Sequence, residues 1–514
     1  MIILLVGTGL YLTLRLTFIQ IRGFRHSLRC ISGKYDRPEE EGDITHFQAL
    51  AAALSATIGT GNIAGVGVAI AAGGPGAVFW MWVTALVGMA TKFTSCSLAL
   101  RYRRIHPDGS ASGGPMYFLR DGLGLGWLGV LFAIFAGVAS LGIGCAVQSN
   151  SVVDGLLSVL PESWQSWRML SGAQWEGWIG HNTPVIKPAI GLVLAFLVGI
   201  VIIGGIRRIA QVASRIVPFM CIVYILGALV ILVMNAAAVP GAFAQIFHYA
   251  FSPLAVGGGV LGVVVQHAVK EGVKRGVFSN EAGLGSAPMA HAAAKTKEMI
   301  REGHVAMLGP FIDTIVICTM TALVIIVTGA WQVHGEGEQV LYGPGGVGMA
   351  MKTTNSVGAT VLVVGQWDPV SGEMVPIPAP HPDPEVPNSA YYLVPTSAAL
   401  TTTAFDAGLP GLGKYVVAFG LVFFAYSTMI SWSYYGDRSF EYLFGERAIT
   451  PYRWVFCLFI VLGTIGGLQL VWLVADNLNA LMAVPNLIAL LLLAGVVQRE
   501  TKDYVRRMKE QGDF

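Results

Sequence analysis

The chain is dominated by apolar runs long enough to cross a bilayer. A spanning helix needs about 20 such residues. Eleven stretches qualify: about 1–20, 46–72, 76–100, 126–158, 186–205, 212–236, 254–272, 304–330, 412–435, 450–468 and 470–497. Charged residues make up 12% of the chain, whereas ordinary soluble domains carry about 25%. The expected fold is therefore an all-α membrane protein of about 11 transmembrane helices, with the lipid bilayer as its first partner.

The placement of charge sets the expected orientation. Of 32 basic residues, 26 fall in one alternating set of connections and 4 (Arg168, Lys187, Lys352 and Lys414) in the other; Arg15 and Lys92 lie within spans. Basic residues accumulate on cytoplasmic loops, which predicts a cell-membrane protein with its N-terminus outside and its C-terminus inside. No basic face or motif suggests nucleic-acid binding. Six cysteines are scattered singly without metal-ligand or disulfide spacing. The first twenty residues lack the basic n-region and cleavage site of a signal peptide and read as a further helix.

One span is interrupted. Residues 54–66 read LSATIGTGNIAGV, with Gly59, Thr60, Gly61 and Asn62 in the middle of an apolar run. Glycine costs a helix about 1 kcal/mol relative to alanine, so this unit is a candidate unwinding point. Gly61 and Gly65 also fit the spacing of a close helix-packing face. A second feature favours unwinding: residues 253–269 carry Gly257, Gly258 and Gly259. With the first helix set aside, the two breaks open two halves of five spans each. An odd number of spans inverts one half relative to the other, as in transporters whose discontinuous helices build the substrate and ion sites. The expected organisation is an extra helix and linker over 1–44, a first repeat over 45–240, a second over 241–497 with a long outer loop at 331–411, and a tail over 498–514. Within that loop, residues 361–377 suggest a hairpin.

Unwinding would expose chemistry. Freed N–H groups at a half-helix N-terminus suit a carboxylate, and freed carbonyls suit a hard cation such as sodium. Small residues at 257–259 would allow a substrate close to the backbone. The Asn62 side chain could coordinate a cation, meet the substrate or bond a neighbouring helix. Gln148 and Asn150 are polar groups within a span, suited to substrate binding or to interhelical packing. Asp313 lies about ten residues into its span, roughly 13–15 Å deep at 1.5 Å per residue. A carboxylate there is a functional candidate, as a cation ligand, a proton carrier or a partner for Lys92. Ser427 and Thr428 are adjacent mid-span hydroxyls, which commonly bond their own helix. Asp476, nearer the end of its span, suggests a structural role.

Four stretches carry a resemblance. GGPGAVFWMWVTALVG (73–88), GVKRGVFSNEAGLGSAPMAHAAA (272–294), STMISWSYYGDRSFEYLFG (427–445) and NALMAVPNLIAL (479–490) resemble the alanine/glycine:cation symporter family. The resemblance implies the leucine-transporter fold with one extra N-terminal helix, and sodium-coupled uptake of alanine or glycine. It also implies that Thr60 and Gly61 offer N–H groups to the substrate carboxylate. Thr57 and Asn62 would face a first Na+ site. Ser427 and Thr428, opposite the carbonyls of Ser55 and Ile58, would form a second. The 279–288 segment would shape the inner gate, where Glu281 could pair with a basic neighbour such as Arg275 or Lys274. The chain departs from the family at Ser95, where glutamate is usual, and at Glu302, where glutamine is usual.

A channel would need a continuous pore lined by charge rings or carbonyls, and the paired breaks favour alternating access. No metalloprotease or serine-hydrolase motif is present, so the chain does not read as an enzyme. Proton coupling stays open through Asp313, and a non-transporting sensor is a further alternative. The transporter is expected to work as a monomer.

Overall fold

The computed structural model describes residues 1–107, 109–157, 159–160, 186–251, 261–334, 340–342, 349–354, 360–368, 373–376, 393–394, 397–465 and 468–513. It is mostly helical. Among the described residues, seven helices are long and apolar enough to cross a membrane: Gly76–Arg101, Gly126–Leu157, Gly205–Met234, Met299–Val327, Gly413–Phe444, Glu446–Ile465 and Ala480–Glu510. An eighth span forms if His46–Thr57 and Gly61–Gly73 are counted together. Shorter apolar helices at Ile2–Arg15 and Ile186–Ile202 coincide with two further expected spans. Of the remaining one, the described part is Leu261–Asn280, whose C-terminal half carries Lys270, Glu271, Lys274 and Arg275.

The interrupted span starts and stops for local reasons. Thr45 accepts a bond from the Gln48 backbone N–H at 3.2 Å, and the Thr45 N–H donates to Gln48 Oε1 at 3.0 Å, a capping box that fixes the entry. At Ile58 the backbone turns extended (φ −74°, ψ 91°). Helix resumes with π geometry over Gly61–Gly65, bent by 55° from the first half.

Burial follows position in the bundle. The interrupted helix is covered on almost every side, from Ala49 through Ile58 and Ile63 to Ala71. That is where an all-round apolar helix belongs. The Gly205–Met234 helix instead buries Met220, Tyr224, Ala228 and Ile231 and exposes Phe219, Ile222, Leu226, Val230 and Val233, one face inward and one outward. Gly413–Phe444 packs against both the interrupted helix and Gly126–Leu157.

The region expected as the long loop, 331–411, contains strand. Thr360–Asp368 pairs antiparallel with Glu373–Pro376 from Asp368 opposite Glu373, which is the hairpin expected over 361–377. Met349–Thr354 and Leu393–Val394 add to the same strand, so the chain carries a small sheet beside its helices. Sequence pattern pointed to the hairpin of Thr360–Asp368 with Glu373–Pro376 alone.

Candidate functional site

The broken helix sits at the meeting point of three other elements. From one side comes the Gly413–Phe444 helix. The Ser55 hydroxyl donates to the Ser427 carbonyl at 2.7 Å. Ser427 Oγ lies 3.3 Å from the Ser55 carbonyl, and Thr428 Oγ1 lies 3.5 Å from the Ile58 carbonyl. Both are long beside the usual 2.7–2.8 Å for a hydroxyl donor. Each hydroxyl has a better acceptor one turn back, the Phe424 carbonyl, at 2.9 Å. With their protons directed to Phe424, the two hydroxyl oxygens present lone pairs towards the carbonyls of Ser55 and Ile58. Four neutral oxygens thus gather at the break, all buried. Such a set suits a hard monovalent cation, because oxygen dipoles can replace its hydration without a fixed opposing charge.

From the other side come Met299–Val327 and Leu261–Asn280. Asn62 Oδ1 accepts from the Gly59 N–H at 2.9 Å, satisfying a donor that the break released. Its Nδ2 donates to Asp313 Oδ1 at 2.7 Å and to the Asp313 carbonyl at 3.1 Å. The second carboxylate oxygen of Asp313 accepts from Ser279 at 2.8 Å and from Thr314 at 2.7 Å. Asp313 occupies a π-helical segment, Phe311–Cys318, and is wholly buried. Lys92, also buried, lies within Coulombic reach of Asp313 and Glu281. Among the described residues it forms no direct ion pair with either.

The irregular backbone is satisfied by hydroxyls. Thr321 donates to the Asn62 carbonyl at 2.8 Å, and Thr401, on the short Ser397–Gly408 helix, donates to the Ile63 carbonyl at 2.9 Å. Nonhelical backbone at membrane depth survives only where protein or an aqueous cavity supplies such partners.

Two buried polar atoms at the break remain without a partner: Thr60 Oγ1 and Gln148 Oε1. Gln148 donates through Nε2 to the Ile143 carbonyl at 3.2 Å, which leaves its oxygen directed at Gly59. A Cβ on Gly59 would stand 3.4 Å from Gln148 Oε1 and 2.6 Å from Thr428 Oγ1. The missing side chain is what lets these groups converge. Gly61 packs closely on the backbone of Ser279, 3.2 Å from a would-be Cβ.

The structure thus brings together Ser55, Ile58, Ser427 and Thr428 on one side of the break, and Asn62 with Asp313 on the other. Thr60 and Gly61 lie buried at the break itself, and Gln148 Oε1 faces Gly59. Thr57 is buried, but its hydroxyl bonds the Leu54 carbonyl of its own helix at 3.3 Å. Gly257, Gly258 and Gly259 lie outside the described residues. Asn150 donates to the Gly463 carbonyl at 3.1 Å, a bond between helices. Glu281 is held by Ser286 at 2.5 Å and Trp432 at 2.9 Å; among the described residues the expected ion pair with Arg275 or Lys274 is not formed. Ser95 donates to the Lys92 carbonyl at 3.3 Å. Glu302, by contrast, is central to its own cluster: both its oxygens are 2.5 Å from a histidine Nδ1, of His46 and His291.

Sequence reasoning missed Ser279, Thr314, Thr321 and Thr401. Thr314 had a signal, its adjacency to an intramembrane carboxylate. The others had none, since hydroxyls are common in such helices and only the fold selects those facing the break.

Comparison with known proteins follows the same outline. The chain is 44% identical over 508 residues to the sodium/alanine symporter AgcS of Methanococcus maripaludis, covering 98% of this chain and 94% of that protein. It is 42% identical to an uncharacterized transporter of Haemophilus influenzae, over 99% and 94%. It is 33% identical to YrbD of Bacillus subtilis, described as a putative sodium/proton-dependent alanine carrier, over 99% and 90%. A sequence profile of one family matches residues 1–364 and 391–513, and with relatives this close over the full span, the chain belongs to the sodium:alanine symporter family.

Proposed function

We propose that the protein is a secondary transporter that couples an inward sodium gradient to uptake of small neutral amino acids, alanine and glycine, by alternating access. The observation that carries this is the convergence of Ser427 and Thr428 on the carbonyls of Ser55 and Ile58 at a broken helix. In this reading those four oxygens hold one Na+. Asn62 and Asp313, with Thr57 after a local rearrangement, hold a second. Binding of the ion there draws the Gly413–Phe444 helix and the broken helix together, which links ion occupancy to the shape of the substrate gap.

The first-turn N–H groups at Thr60 and Gly61 have no intrahelical carbonyl to bond, and they sit at the positive end of the half-helix dipole. They receive the amino acid's carboxylate. The unpartnered Gln148 oxygen takes its ammonium, and Gly257, Gly258 and Gly259 remain substrate-binding residues in this reading because glycines admit a small substrate. The two halves, 45–240 and 241–497, act as an inverted repeat. The N-terminus faces outward and the C-terminus the cytoplasm, and one copy suffices for transport.

The test is uptake of alanine by the purified protein in liposomes, with sodium, lithium and pH gradients imposed one at a time. Concentrative uptake that requires sodium is expected. Uptake driven by the pH gradient and indifferent to sodium would move the coupling to a proton carried on Asp313, the reading suggested by its burial and by the name given to YrbD.

A further inference from the structure

A cavity of about 390 Å³ lies between the N-terminal helix and the last turns of the C-terminal helix. Five cations line it, Arg15, Arg22, Lys502, Arg506 and Lys509, against a single acid, Glu510. The charge is only partly answered from within. Arg506 pairs with Asp503 at 2.6 Å, and Arg22 donates to Thr17 at 2.6 Å. Lys502 and Lys509 have no ion-pair partner among the described residues. Arg15 contacts Tyr11 through Nη1, but its Nε is buried and unpartnered.

The lining also contains Leu16, Ile19 and Val505. It opens beside an apolar surface formed by Leu10, Leu14, Phe18 and Ile21, between 47% and 70% exposed. That surface continues the outward face of a membrane helix, so the cavity lies where hydrocarbon gives way to headgroups. Backbone geometry is committed to the arrangement. Thr17 and Phe18 adopt left-handed conformations (φ 52° and 55°), which are strained for residues other than glycine. The turn they make puts Arg15 and Arg22 on the same cavity.

We propose that this cavity binds the phosphate headgroup of an anionic phospholipid, with its acyl chains lying along Leu10, Leu14 and Ile21. A freely dissolved phosphate would use the cations but leave the apolar lining and the adjoining surface unused. Basic pockets between membrane helices are suited to such headgroups. The bound lipid would join the extra N-terminal helix to the C-terminal helix, two elements that otherwise meet through few polar contacts such as Gln498 to the Arg15 carbonyl at 3.1 Å.

The test uses the full chain in nanodiscs of phosphatidylcholine with phosphatidylglycerol titrated in, and retained lipid read by native mass spectrometry. Phosphatidylglycerol should be retained selectively, and the retention should weaken with salt. Each lysine near an anionic headgroup contributes about a five-fold gain, so the Lys502→Gln/Lys509→Gln double variant should lose about thirty-fold. Both side chains are exposed, so the fold should survive, and equal melting in pure phosphatidylcholine discs checks this. Arg22→Gln, also exposed, gives an independent reading. Equal retention of the two lipids by the unaltered protein, or unchanged retention in both variants, would overturn the proposal. Displacement by inorganic phosphate at matched concentration would overturn it in favour of a soluble-anion site.

Discussion

The side-chain amide of Asn62 donates to the Asp313 carboxylate at 2.7 Å, across 251 positions of chain. This bond joins the break in one helix to the π-distorted stretch of another. Each irregularity supplies what the other lacks. Asn62 also satisfies the Gly59 N–H, so one side chain holds the break open and ties it to an acid. Asn62→Ala should abolish sodium-driven alanine uptake while the protein still expresses. It leaves a buried N–H and a carboxylate oxygen without partners, at about 1–3 kcal/mol each, and a lowered melting temperature should accompany the loss. Normal uptake would remove Asn62 from the site.

Ser427→Ala removes one oxygen from the set facing Ser55 and Ile58, and uptake driven by sodium should be lost. Thr428→Val keeps the shape and removes the other hydroxyl. A bond to a charged group contributes about 1.5–3 kcal/mol, so half-saturation for sodium should rise roughly ten- to a hundred-fold. Sodium titrations of uptake decide this, and an unchanged sodium curve in both variants would refute the cation site there.

Gly59→Ala places a methyl 2.6 Å from Thr428 Oγ1. Expected is a protein that still inserts but is destabilised by about 1–3 kcal/mol, the cost of an overpacked core, and binds neither sodium nor alanine, because the two helices can no longer approach. Calorimetric titration with alanine in sodium buffer provides the measurement.

Asp313→Asn separates charge from shape. The hydroxyls of Ser279 and Thr314 can rotate to meet an amide, so folding should be little affected. If the carboxylate is a sodium ligand, sodium dependence is lost. If it carries a proton, the response to an imposed pH gradient is lost and sodium dependence stays.

Glu302 offers a test unrelated to the transport site. Its two bonds to His46 and His291 link the start of the broken helix, the 272–294 signature stretch and the start of the Met299–Val327 span. Glu302→Gln can keep one histidine as donor and, through a change of tautomer, the other as acceptor. It should cost about 1.5–3 kcal/mol for the lost charge assistance. Glu302→Ala leaves both imidazoles without the acceptor and should cost more, about 3–5 kcal/mol. Thermal unfolding in detergent ranks the three proteins; equal melting would deny the cluster a role in stability.

Much of the bundle was legible because membrane helices announce themselves by length. Seven long spans and the broken pair fall where apolar runs predicted them. Ile186–Ile202 and Ile2–Arg15 are shorter than the runs suggested, since Gly204 and Gly205 end the one and Thr17 and Phe18 turn the other. In the sequence Glu302 is marked only by standing where glutamine is usual, because a lone glutamate carries no signal of its own. Only the approach of two histidines from 256 and 11 positions away gives it meaning.

Sequence by itself determined that this chain lives in a bilayer, which end of each span gathers positive charge, and that one helix is broken at Gly59 to Asn62. Those properties are local, set by hydrocarbon's refusal of charge and by glycine's weak hold on a helix. Tertiary structure decided which oxygens face the break. Ser427 and Ser55 are 372 positions apart, and nothing in either neighbourhood names the other. Packing of the Gly413–Phe444 helix against the bare backbone of Gly59 brings them together, and a hydroxyl that bonds its own helix also comes to face the carbonyls of the broken one.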